Sequence, residues 1–331
     1  MSAQLQTHAE IVKIAHLLQV PPSEIEYLAV CEPETLIDFR LQLVEVFYGD
    51  EGSNLKRFAK VGNLLPASVI ASLTKEAVGP VLAARIAGFV DPKQAASVVS
   101  KLPTAFVVDI ATAIDPRRVG PVIGRLDNGT VERVALELIK RHEYVTMGQF
   151  VGFASDEILR ISFNFSSDEA LLRTAFVAED KDRISAALTP QSDERIASII
   201  KTAAKGDLWP EAMDLLSQLS DEQYIRVINI SGSIDAKSLD KMVAATTKHD
   251  CWAILVPAYA QMEDPNNGVA ALLRGTANDI RAFGETIIED EAWEDSAELF
   301  AKLTDENRDA LVTRLRRLKL DEVFERAAVA A

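Results

Sequence analysis

Apolar residues along this chain recur three and four positions apart. Val131, Val134, Leu138 and Ile139 share one helical face, with Glu132, Arg133, Glu137 and Lys140 opposite or flanking. Leu311, Leu315 and Leu318 form a second stripe beside Arg314, Arg316 and Arg317. This is the period of an amphipathic α-helix. No convincing two-residue alternation occurs. The best strand candidate, Ile225 to Ile230, is short and reads equally well as the continuation of a helix. The pattern predicts an all-α protein.

The helices share a starting chemistry. Asp91-Pro92 and Asp115-Pro116 place an Asp cap before a Pro at the first helical position. Ser155-Asp156-Glu157, Ser167-Asp168-Glu169, Ser192-Asp193-Glu194, Ser220-Asp221-Glu222 and Thr304-Asp305-Glu306 use a hydroxyl cap, with carboxylates in the first turn where the helix dipole favours them. The Asn128-Gly129-Thr130 sequon reads as a turn.

Longer self-similarity organises these helices. The segment Trp209 to Glu222 matches Trp293 to Glu306 at a constant offset of 84, and Trp252 lies between, so the tryptophans are 43 and 41 residues apart. Upstream, Val78-Gly79-Pro80-Val81 returns as Val119-Gly120-Pro121-Val122, and Leu65-Pro66 returns as Leu102-Pro103. A helical repeat of roughly 40 residues predicts an α-solenoid, a HEAT- or armadillo-like superhelix whose units bury their apolar faces only by stacking. Residues 1–60 read as N-terminal capping helices, broken at Pro21-Pro22 and at Gly49-Asp50-Glu51-Gly52-Ser53. Residues 61–206 read as Pro-capped repeats. Residues 207–331 read as Trp-marked repeats with a C-terminal cap, continuous with what precedes.

The Asp-Pro helix starts, the two Leu-Pro turns and the short helices rich in Ala and Val give residues 65–219 a family likeness. That stretch resembles the cytoplasmic N-terminal helical-repeat domain of MgtE-type magnesium transporters, and the related repeats of flagellar motor-switch proteins. The resemblance implies a right-handed superhelix of short helices, with regulation or partner contact as its role. The CBS pair and membrane domain of those transporters have no counterpart in the sequence, so magnesium transport is not implied.

Charge and composition narrow the function. Among 331 residues, 35 Lys and Arg stand against 50 Asp and Glu, a net charge of −15. A nucleic-acid partner wants a basic face, and an anionic membrane surface wants the same. Neither is expected. The first twenty residues carry His8, Glu10, Lys13 and His16 and lack the apolar run of a secretory signal. The longest uncharged apolar run, Cys251 to Ala260, is about half a membrane span. With only Cys31 and Cys251, no disulfide framework exists, and the expectation is a cytoplasmic protein.

Candidate chemistry is sparse. His8 and His16 are too far apart for a zinc pair, and His249 beside Cys251 is not a known catalytic spacing; buried, inert thiols are the plainer reading. No Gly-rich phosphate cradle occurs, so no cofactor is expected. Glu289, Asp290, Glu291, Glu294 and Asp295 form an acidic cluster: a weak hard-cation site, or a solvated helix start. Asp109 interrupts an otherwise apolar helix from Ala105 to Ile114, and Arg85 does the same from Val81 to Val90. The two are expected to be buried and to pair across helices, or to serve as polar anchors for a ligand in an apolar groove. Asp109 is also the first candidate were the chain an enzyme. The three tryptophans are expected as equivalent core wedges, and Phe150, Phe153, Phe163, Phe165 and Phe176 as core or as a hydrophobic pocket.

The expectation that follows is a protein-interaction or regulatory module, leaning away from catalysis, with a basic protein as partner. The alternative is a pocket within the superhelix that binds a small apolar molecule, or a cofactor-free isomerase or cyclase built on such a pocket.

Overall fold

The computed structural model describes residues 3–48, 55–57, 59–60 and 64–330. Every regular element among them is helical, as the periodicity predicts. The break at Gly49 to Ser53 lies outside the described residues. No helix among the described residues is long and apolar enough to cross a membrane. The chain divides into two compact units, Thr7–Ala187 and Met1–Gln6 with Leu188–Ala331.

The first unit contains α1 (Ala3–Leu18, which begins in the other unit), α2 (Pro33–Tyr48) and α3 (Ala67–Leu73). Then come α4 (Pro80–Ala87), α5 (Pro92–Val99), α6 (Thr104–Ala111), α7 (Pro116–Ile123) and α8 (Asn128–Lys140), starting twelve residues apart. It continues with α9 (Tyr144–Phe150), α10 (Asp156–Phe165) and α11 (Asp168–Val177). Helices of two turns are marginal alone, because nucleation costs as much as so few hydrogen bonds return. Stacking supplies the difference. α3 packs on α5, α4 on α6, α5 on α7, α6 on α8, α8 on α10 and α9 on α11.

Local chemistry sets the starts. Asp91 accepts from the Gln94 amide at 3.0 Å, and Asp115 from the Arg117 amide at 3.1 Å, each ahead of a Pro in the first turn. Ser155, Ser167, Ser192 and Thr304 cap in the same way. Ser220 stands at a helix start without a side-chain cap bond. Gly79 has φ 77°, a left-handed conformation that suits glycine, and it leads into Pro80.

Two expectations are corrected. The Asn128-Gly129-Thr130 segment is the first turn of α8, because Asp127 caps it, accepting from the Thr130 amide at 2.8 Å and hydroxyl at 2.7 Å. The two Val-Gly-Pro-Val copies are not equivalent either: Gly79 precedes α4, whereas Pro121 lies inside α7. The Leu-Pro turns are equivalent, since Pro66 and Pro103 are both N-caps, of α3 and α6.

The second unit contains three repeats of three helices. The first is α13 (Asp193–Gly206), α14 (Trp209–Leu216) and α15 (Asp221–Gly232). Next follow α16 (Ala236–Lys248), α17 (Trp252–Gln261) and α18 (Asn266–Arg274), then α19 (Ala277–Glu289), α20 (Trp293–Lys302) and α21 (Asp305–Arg317). A last helix, α22 (Glu322–Ala330), closes the chain; α12 (Lys181–Leu188) joins the two units in sequence. Like helices stack: α13 on α16, α16 on α19, α17 on α20 and α18 on α21, with α22 covering α19 and α20.

Each tryptophan opens the middle helix of its repeat. Trp209 and Trp252 are 3 % and 1 % exposed. Trp252 meets Phe283 edge-on, ring centroids 5.5 Å apart, and donates Nε1–H to the Thr247 hydroxyl at 3.1 Å. Trp293 is only half-buried, with the Arg326 guanidinium 4.9 Å above its ring. The neighbour that covers its helix is the single short helix α22.

Side chains of one repeat also complete the helix ends of the repeat before, whose last carbonyls lack intrahelical partners. Lys241 donates to the Ala204 carbonyl at 2.9 Å, Asn267 to that of Gly232 at 3.1 Å, and Arg314 to that of Leu273 at 2.9 Å.

Candidate functional site

Two of the cavities in the first unit differ sharply in chemistry. The first is about 290 Å³, with a wall drawn from α1, α2, α4 and the start of α7. Lys13, Arg40, Arg85 and Arg117 line it, with Asp115 and Glu179 as the carboxylates and His16 beside Lys13. Behind the wall, Glu10 accepts from Lys13 Nζ at 2.7 Å and from Arg40 Nε at 2.8 Å. Arg40 Nη1 donates to Glu179 at 2.7 Å. Lys13 and Glu10 face the same way because they are one helical turn apart on α1.

The electrostatics follow from that packing. Glu10 is 3 % exposed, and burial alone pushes its carboxyl up; Lys13 and Arg40 outweigh it and hold the carboxyl below its ordinary value. Burial pushes the His16 imidazole down, opposed in part by Glu143, and its Nε2 lies 3.4 Å from the Thr146 hydroxyl. Arg117 forks onto Asp115 at 2.9 and 3.1 Å, which raises its affinity for a proton further.

The second cavity, about 250 Å³, is lined almost wholly by apolar side chains of α3 to α6, among them Ile70, Val78, Ile86, Val90, Val98 and Val99. These are the small β-branched residues that recur through the short helices.

Asp109 and Arg85 do not pair. Asp109 bonds Arg141 Nη1 at 2.6 Å, its side chain is 45 % exposed, and it lines neither cavity. The expected buried pair is corrected on both counts. α6 packs against α4 on one side and α8 on the other, so most of its surface is apolar, yet a narrow outward strip remains. Asp109 occupies that strip, and Arg141, just past the end of α8, reaches across it. Arg85 is half-buried in the wall of the charged cavity.

The other candidates lie apart. Glu289 ends α19, Asp290 and Glu291 form the link, and Glu294 and Asp295 start α20. Burial, then Glu298 and Glu294, push the Asp295 carboxyl up. Among the described residues no three His, Cys, Asp or Glu side chains converge to hold a metal ion. Cys251 is buried, donates to the His249 carbonyl at 3.2 Å and has its thiol pushed up to about 12 by burial, with Asp250 and Asp214 adding to it. Phe163 and Phe176 are core, Phe165 is exposed, and Phe153 touches the charged cavity.

Lys13, Arg40 and Glu10 escaped the sequence reading. Glu10 and Lys13 show a helical spacing, but nothing local marks Arg40 or Glu179 as their partners. Comparison with known proteins yields no match: no family model, no curated protein and no solved structure is significantly similar to this chain. What the fold and the cavities define, among the described residues, is an all-α protein of stacked short helices whose first unit includes a charged cavity and an apolar one.

Proposed function

We propose that this chain is a binding module of the helical-repeat kind, a HEAT- or armadillo-like solenoid that engages a protein partner and does no chemistry of its own. The observation that carries this reading is the stacking of like helices within each unit. Such arrays present extended, repeating surfaces rather than a single cleft. The net charge of −15 supports a basic partner steered by long-range attraction. A thiol held protonated at Cys251 and an exposed ion pair at Asp109 fit a non-catalytic role.

The test is cross-linking in cells followed by reconstitution from purified components. The reading expects a saturable complex with a protein of basic surface, weakening steeply as salt rises. An activity of the chain alone, lost in Asp109→Asn while thermal unfolding is unchanged, would overturn it.

The apolar cavity between α3 and α6 favours a second reading, a binder of small apolar molecules. Native mass spectrometry of freshly purified chain decides it. A retained apolar ligand, lost when Val98→Phe fills the space, supports this reading. A ligand-free mass, with no uptake of an added alkane or fatty alcohol, rejects it.

A further inference from the structure

The charged cavity gathers cationic side chains, two of them buried. Lys13, Arg40, Arg85 and Arg117 line it; Asp115 and Glu179 line it too, and Glu10 stands behind. Two of the cations are buried, Lys13 at 6 % and Arg40 at 7 % exposure. Removing such groups from water is costly unless their donors are satisfied.

They are not all satisfied. The Lys13 ammonium has three N–H donors, and among the described residues its one hydrogen bond goes to Glu10. Arg40 directs Nε to Glu10 and Nη1 to Glu179, while Nη2 bonds nothing among the described residues. Unspent charged donors thus front the cavity beside two more guanidinium groups. Guanidinium forks match the paired oxygens of carboxylates and phosphates. The remaining wall is apolar, from Leu17, Val44, Phe47, Ile114 and Phe153. A volume of about 290 Å³ suits a small molecule rather than a peptide.

We propose that this cavity binds a small organic anion, a carboxylate or phosphate ester with an apolar body, its oxygens taking the unspent donors of Lys13 and Arg40. This goes beyond the partner-binding reading and does not rest on it. Glu179 then acts as a competitor, because it already occupies Arg40 Nη1.

Isothermal titration of the full chain with phenyl phosphate, phenylacetate and neutral benzyl alcohol tests the proposal. The expected result is saturable one-to-one binding of an aromatic anion, at least about tenfold tighter than benzyl alcohol, since a charged hydrogen bond is worth that factor or more. The tighter of the two anions assigns phosphate or carboxylate. Arg40→Lys, which removes the unspent Nη2 donor, should weaken binding by about tenfold. Glu179→Gln should tighten it several-fold, an effect that damage to the fold does not produce. No saturable binding of either anion, equal affinity for benzyl alcohol, or weaker binding in Glu179→Gln would each overturn the proposal.

Discussion

Nη1 of Arg141 donates to the Asp109 carboxylate at 2.6 Å, joining α6 to the end of α8 across 32 residues of sequence. The same guanidinium bonds Glu137 through Nε at 2.9 Å. Both acidic partners keep contact with water, so Coulomb attraction here is screened. Asp109→Ala is therefore expected to cost about 0.2–1 kcal/mol. Urea unfolding checks this; a loss near 3 kcal/mol would place the pair in the interior instead.

The tryptophans should rank by burial. Trp252→Ala removes a fully buried ring that also holds Phe283 and Thr247, and about 3–5 kcal/mol of stability should go with it. Trp293→Ala should cost clearly less, because its ring is half-exposed beneath Arg326. Equal losses in denaturant titrations of the two variants would contradict the layer-by-layer account.

Acid should weaken the first unit in two stages of the same sign. Burial holds His16 below its ordinary value of 6.5, so its contribution is present above that pH and fades as pH falls through the folded value. Glu10, held below 4.5 by Lys13 and Arg40 against the cost of burial, contributes above 4.5 and loses that contribution at lower pH. His16→Asn should flatten the loss of stability that begins as pH falls below 6.5 while leaving the drop below 4.5, as read by thermal unfolding across that range.

Gly148 sits where α9 crosses α11. A Cβ there would stand 2.8 Å from Val177 Cγ2 and 3.0 Å from the Thr174 carbonyl, with backbone on one side of the contact. Gly148→Ala should destabilise by about 1–3 kcal/mol despite the better helix propensity of alanine. A stabilised variant in the same unfolding assay would show that the two helices can move apart freely.

Thiol chemistry offers a further check. With its thiol pushed up to about 12 and its sulfur buried, Cys251 should resist a thiol reagent at neutral pH in the folded chain. It should react at once in guanidinium. Prompt labelling of Cys251 in the native state, read by peptide mass spectrometry, would refute the packing around it.

The helices, their caps and the tryptophan repeat could be read from the residues alone, because each depends on neighbours in sequence. Ser155 finds the Ile158 amide three residues on, and Trp209, Trp252 and Trp293 repeat because each opens the same helix of its unit. The cavities and the ion pairs could not. Arg40 meets Glu10 across 30 residues and Glu179 across 139, and no local pattern encodes either distance. Asp109 shows why apolar surroundings in sequence do not imply burial. In a stack of two-turn helices both flanks of a helix are covered, the pattern looks apolar all round, and only packing decides which narrow strip still faces water.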